Sequence, residues 1–390
     1  MATIPLNYSY RNLLARKLTT LLTVLGISLV VFVFAAILML ASGLRKTLIA
    51  TGSIENFVVI RKGAESDTLS EVDRDGARLI ATFPEVETGS DGKPLVSPEM
   101  ATIVNQYKYG TNSMGNIIVR GVSPNILQLR PQIKLVEGKF FRTGTQEIIV
   151  GRSIESRFQG CRIGQTLKFA THEWTIVGVF EAEKSSFESE IFADVDQLMG
   201  AFDRSIYSTV TCRLKSASMY SAFKTRLQSE PRLQNYDVKN EQVYYGEQSE
   251  ALAKFIKVLG LVITIIFSFG AMIGAMITMY ASVANRTIEI GTLRSLGFLR
   301  RNILIAFLIE ALCIAFVGGA VGLVLASFLQ TVTISTLNFT TFSELAFGFT
   351  LTPDIITSSF AFSFIMGIVG GFLPAVRASR LNIVAALRSA

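Results

Sequence analysis

The chain has 390 residues, of which 50% are hydrophobic and only 17% charged. A mean hydropathy of +0.44 is too apolar for an ordinary soluble protein of this length and points to an integral membrane protein carrying a soluble part. The net charge of +7 would suit nucleic acid, but the basic residues flank apolar runs instead of patterning a soluble surface, so no nucleic-acid partner is expected.

The first apolar run covers residues 18–43. It exceeds the ~20 residues that cross a bilayer core, is too long for the core of a signal peptide, and lacks a small-residue cleavage site. It is read as a retained span. Residues 44–254 follow as a polar insert. Between 44 and 250 there are 25 basic and 26 acidic residues, a net of −1, so the positive charge belongs to the membrane half.

Within the insert, FVVIRKG (57–63) reads as a strand and VDRDGARLIATF (72–83) as a helix closed by Pro84. ATIVNQYKYG, NIIVRGV, EIIVG, TLKFATHEWTIVGVFE and STVTCRLK alternate as strands. SMYSAFKTRLQSE (218–230) is amphipathic and stops at Pro231. Residues 44–52 and 240–254 continue helically from the neighbouring spans, as a stalk would. Cys161 and Cys212 either pair, if the insert is exported, or are two small buried apolar residues.

Three further spans are expected at 255–285, 303–329 and 355–376. Residues 286–302, RTIEIGTLRSLGFLRRN, form a charged break between the second and third, and 330–354 a short loop between the third and fourth. Arg11, Arg16 and Lys17 precede the first span. Arg286, Arg294, Arg300 and Arg301 lie in the break, and Arg377, Arg380 and Arg388 in the tail 377–390. The 330–354 loop has no Lys or Arg. The positive-inside rule therefore places both termini and the break in the cytoplasm. Arg300, Arg301, Arg377 and Arg380 sit at the membrane surface, and the insert and the 330–354 loop lie outside. The expected fold is integral membrane α-helical, with four transmembrane helices and a large α+β extracytoplasmic domain inserted between helices 1 and 2.

Chemistry is sparse. The single histidine, His172, rules out a two-histidine metal site, and no nucleophile elbow or dinucleotide pattern occurs. Gly92 and Lys93 are followed by Pro94, and Gly138 and Lys139 by Phe140, where a phosphate-binding loop needs Ser or Thr. The chain is therefore expected to be no enzyme and to bind no cofactor or metal, with ATP and Mg on a partner. Glu310 is a carboxylate inside a span, about two turns from the cytoplasmic end near Arg300 and Arg301; it is read as structural or conformational. Lys254 and Lys257 snorkel at the outer end of the second span. Gly270 with Gly274, Gly318 with Gly322, and Gly367 with Gly371 have the spacing that lets helices pack closely in lipid.

RTIEIGTLRSLGFLRRNILIAFLIEALCIAFVGGAVGLVLA and GGFLPAVRASRLNIVAALR closely resemble the permease core of the MacB/LolC/FtsX superfamily of ABC transporters, the type VII mechanotransmission class. NYSYRNLLARKLTTLLTVLGISL is similar to its amphipathic cytoplasmic first helix (1–17) and first span. The stretch from EIIVG to DVDQL is similar to the MacB-type periplasmic core domain. The resemblance implies an inner-membrane permease working as a dimer over an ABC ATPase, MacB-like but without a fused ATPase domain, so the ATPase is expected on a separate polypeptide. A second permease copy is expected, favouring a homodimer, with a periplasmic adaptor or outer-membrane partner as a further possibility. Efflux, secretion or extraction of a periplasmic or membrane-embedded substrate is the first expectation. FtsX-like signalling to a cell-wall hydrolase is the alternative.

The resemblance also makes 286–302 the coupling element. The residues suit that role: Ile288, Ile290, Leu293 and Leu296 can anchor in a groove, Glu289 and Arg294 can orient, and Gly297 can end the helix.

Overall fold

The computed structural model describes residues 17–382. Most of the amphipathic helix expected over 1–17, and the end of the tail, lie outside the described residues. The elements in order are α1 (Lys17–Thr51), β1 (Asn56–Arg61), α2 (Arg74–Ile80), β2 (Val96–Tyr107), β3 (Met114–Val122), α3 (Ile126–Leu129), β4 (Lys134–Gly138) and β5 (Glu147–Gly151). Next come α4 (Arg152–Arg157), β6 (Thr166–Phe169), β7 (His172–Glu181), β8 (Glu190–Asp194), α5 (Val195–Ala201), β9 (Thr209–Arg213), α6 (Tyr220–Ser229) and β10 (Tyr236–Asn240). The chain ends through α7 (Glu241–Asn285), α8 (Thr287–Ser295), α9 (Arg300–Ser327), β11 (Thr333–Leu337), β12 (Glu344–Gly348) and α10 (Pro353–Ser379).

Two units emerge: a sheet unit, Gly43–Ala253 with Thr333–Phe347, and a helical unit holding the rest. In the sheet unit ten strands run in the order β10-β1-β9-β2-β3-β8-β5-β7-β4, with β6 on β7. β3 runs parallel to β8 and β5 to β7, while the other pairs are antiparallel. Twelve-residue β2 serves two neighbours in succession: Val96–Glu99 pair with β9, and Met100–Tyr107 with β3. This one strand joins two sheet halves, each with its own core. Around β1, β9 and β10 the core holds Phe57, Val210, Phe223 and Val238. Around β3, β5 and β7 it holds Ile117, Ile148, Phe158, Trp174 and Val179. Alternating residues reach these cores because successive strand side chains point to opposite faces. Local caps fix the helices: Asp73 and Asp194 accept from the N–H groups of Gly76 and Gln197 at the starts of α2 and α5.

A third apolar cluster holds Phe187, Phe192, Tyr244 and Tyr245 beside buried charge. Arg120 donates to Glu190 at 2.6 Å and to Asp67 at 2.6 Å. Arg130 lies 2.8 Å from Glu99 and 2.8 Å from Glu241, with its guanidinium 4.4 Å over the Phe187 ring. Glu241 also accepts from Asn56 and from the Ser53 N–H. Burying ions is costly unless each is paired and hydrogen-bonded, and here every carboxylate faces a guanidinium. Glu241 is the first residue of α7, so the network pins the root of that helix to the sheet.

In the helical unit, α1, α7, α9 and α10 are each long and apolar enough to cross a membrane. The helices of α1 and α7 run on past the apolar stretches, α1 to Thr51 and α7 from Glu241. The segment 330–354, expected as a plain loop, carries the two-stranded sheet β11–β12.

Candidate functional site

A single residue, Arg286, separates the end of α7 from the start of α8, and its φ of −116° breaks the helix. The bend is held by charge. Arg286 is 6% exposed and donates to Glu310 of α9 at 3.0 Å and to Glu289 at 3.3 Å. Its guanidinium also lies 5.0 Å over the Phe307 ring. Glu310 thus pairs with Arg286 of the preceding break, a partner that sequence proximity did not single out. The Glu310 carboxylate is a strut between α8 and α9.

α8 ends on a Schellman motif. The Gly297 N–H donates to the Arg294 carbonyl and the Phe298 N–H to the Leu293 carbonyl, both at 3.2 Å. Gly297 takes a φ of +92°, which strains any residue with a Cβ. α8 therefore has a fixed start and a fixed end.

Its faces differ. Ile290 is 1% exposed and joins the apolar core of the helical unit with Ile303 and Phe307. This corrects the expectation that Ile290 anchors a partner: residues two positions apart on a helix, such as Ile288 and Ile290, point roughly 200° apart, and Ile290 takes the inner side. Ile288 and Leu296 are the exposed apolar residues, Leu296 at 72%. Leu293 and Arg294 are half-buried, and Glu289 is exposed. The outer face thus presents isolated apolar side chains among charge and hydroxyls.

The three glycine pairs do different jobs. A Cβ on Gly318 would lie 2.9 Å from Ile27, and one on Gly322 2.6 Å from the Ser28 carbonyl, so this pair seats α1 on α9. A Cβ on Gly367 would lie 2.6 Å from the Ala315 Cβ, and Gly371 faces Ala311, so this pair seats α9 on α10. Gly270 and Gly274 have nothing within 4 Å. With Thr23, Gly26, Ala271 and Thr278 they line an open apolar groove of about 490 Å³ between α1 and α7.

The description "MacB-like periplasmic core domain" matches residues 20–230, and "FtsX-like permease C-terminal" matches residues 261–383. The chain belongs to the MacB/FtsX-type ABC permeases. It is 24% identical over 413 residues to the macrolide export ATP-binding/permease protein MacB of Burkholderia thailandensis, covering 96% of this chain and 58% of that one. It is 27% identical to MacB 2 of Aeromonas hydrophila, covering 96% and 59%, and 26% identical to the probable syringafactin export ATP-binding/permease protein SyfD of Pseudomonas syringae, covering 96% and 58%. The chain spans under three-fifths of the length of these relatives. Among solved structures, the periplasmic region of MacB from Actinobacillus actinomycetemcomitans aligns with a TM-score of 0.39 at 12% identity, over 50% of this chain and 92% of that one. The extracellular domain of the YknZ transporter from Gram-positive bacteria aligns at 0.36 and 12% identity, over 47% and 100%.

In this MacB/FtsX-type permease the remaining sequence candidates stay apart. Arg300, Arg301, Arg377 and Arg380 are exposed, and Arg377 stacks 5.5 Å over the Tyr280 ring. Cys161 and Cys212 are free, belong to different cores, and burial pushes both thiols up to about 12. His172 caps a turn, with Nδ1 2.7 Å from the Ala170 carbonyl. Among the described residues no group of three or more His, Cys, Asp or Glu is placed to hold a metal. Sequence reasoning missed Arg286 as a site residue; the signal was its position at the last residue before α8, with one buried carboxylate in the next span to pair with.

Proposed function

We propose that this chain is the permease subunit of an ABC transporter, that a separate ATPase subunit grips it by α8, and that ATP-driven closure moves the sheet unit. The observation that carries this reading is the construction of α8. One face is locked into the spans by Ile290 and the Arg286–Glu310 pair, while the other presents Ile288, Glu289 and Leu296 to solvent. A short, rigid element with apolar anchors and orienting charges is what a partner groove requires. ATP and Mg are held by the partner.

The reading extends to topology and assembly. Both termini and α8 face the cytoplasm, the chain sits in the inner membrane, and the sheet unit lies in the periplasm. Two copies pair through the groove of Gly26, Gly270 and Gly274, where absent side chains let helices approach. The work is efflux or extraction of a periplasmic or membrane-embedded substrate, in line with the export named for the relatives MacB and SyfD, and a periplasmic adaptor completes the complex. Purification from the host membrane tests this. Recovery of an ABC ATPase at one subunit per permease supports it, and recovery of a cell-wall hydrolase without transport would favour signalling instead. A cysteine at position 340 is expected to react only from the periplasmic side.

A further inference from the structure

The segment 333–348 joins the third span to the fourth, and a two-stranded hairpin of this size is marginal in water on its own. Here it is held to the sheet at several points. Glu344, 9% exposed, accepts from Arg157 at 2.6 Å and pairs with Lys108. Asn116 of β3 donates to the Phe342 carbonyl at 2.7 Å, and the Ala346 N–H donates to Ser189 at 3.1 Å. The turn puts Phe342 at a φ of +56°, a conformation that L residues rarely adopt. The fit depends on a glycine: a Cβ on Gly115 would lie 2.6 Å from Glu344 Oε1 and 2.8 Å from Lys108 Cε.

As a stabilising device this arrangement is poor. Two cations share one carboxylate, and Arg157 Nη1 is buried without a hydrogen-bond partner. Half-desolvated ion pairs add little net stability but fix one register. We propose that Glu344 is a positioning residue, a latch through which movement of the third and fourth spans is delivered to β3 and the sheet. The latch rests on the transport reading above. It gives the sheet a third mechanical connection, after the helices α1 and α7.

The test uses the full chain with its co-purified ATPase in nanodiscs, read by hydrogen exchange of peptides 333–348 and 114–122 with and without ATP and vanadate. Wild type is expected to change protection in both segments on nucleotide. Glu344→Gln is expected to exchange 333–348 at least tenfold faster without nucleotide and to lose the nucleotide response of 114–122, while keeping wild-type ATPase occupancy. Glu344→Asp, which keeps a carboxylate between Lys108 and Arg157, is expected to retain the nucleotide response of 114–122. An intact 114–122 response in Glu344→Gln overturns the transmitting role, and unchanged nucleotide-free exchange overturns the latch itself. A wild-type chain that retains no ATPase overturns the transport reading and, with it, the transmitting role, while the nucleotide-free comparison still judges the latch.

Discussion

Arg286 and Glu310 stand 24 residues apart in sequence and meet in an ion pair of 3.0 Å at the base of α8. Both side chains are 7% exposed, so removing one partner takes a buried charge-assisted contact from the other. Arg286→Leu and Glu310→Leu are each expected to lower the melting temperature and reduce ATPase retention. The double variant is expected to melt higher than either single one. A double-mutant cycle on melting in nanodiscs measures the coupling; additive effects would dissociate the pair from the strut.

Leu296 and Ile290 separate docking from folding. Leu296 is 72% exposed and Ile290 1%. Leu296→Asp is expected to leave the melting temperature unchanged and to abolish ATPase co-purification. Ile290→Ala removes core packing, about 2–5 kcal/mol, and is expected to lower the melting temperature. Retained ATPase on Leu296→Asp would remove the outer face of α8 from the interface.

The glycine pairs are expected to respond in opposite ways. Gly322→Ala brings a methyl to 2.6 Å from the Ser28 carbonyl and is expected to destabilise the fold by about 1–3 kcal/mol. A Cβ at Gly274 meets nothing within 4 Å, and Gly274→Ile, reaching into the open groove, is expected to leave the fold intact while converting a dimer to a monomer by native mass spectrometry. A dimer that survives Gly270→Ile with Gly274→Ile would place the second copy elsewhere.

Glu147 gives a pH signature. The hydrogen bond from Arg142, helped by Lys139, holds its carboxyl down to about 2 from an ordinary 4.5. A depressed carboxylate adds stability that is complete above about 4.5 and is lost as pH falls towards 2. Glu147→Gln is expected to lower the melting temperature slightly at pH 7, where the contribution is complete, and to flatten the acid limb of a melting-temperature profile so that the two proteins converge as pH falls towards 2. An unchanged acid limb would show that the Arg142 contact is not maintained in solution.

The spans were legible because about twenty apolar residues in a row have few alternatives, and most sheet strands were legible through their alternation. The β11–β12 hairpin was not. TISTL and ELAFG are five residues each, and what orders them is distant in sequence: Asn116 and Phe342 are 226 positions apart. The site was half legible. RTIEIGTLRSLGFLRRN announced a short element with a glycine stop, and the stop is where Gly297 puts it. The sequence did not say which isoleucine would turn inward, since that depends on how α8 tilts against α9. Arg286 looked like one topological charge among several until the chain reversed and brought Glu310 beside it.

α7 runs unbroken for 45 residues, about 68 Å at 1.5 Å per residue. No proline interrupts it, and its first residue, Glu241, is clamped by Arg130. Such a rod converts angle into distance: a tilt of roughly 5° about one end sweeps the other by about 6 Å, more than a full helical turn of rise. In the transport reading proposed above, its stiffness sets the gain, and a proline placed midway is expected to lower that gain without touching either terminus.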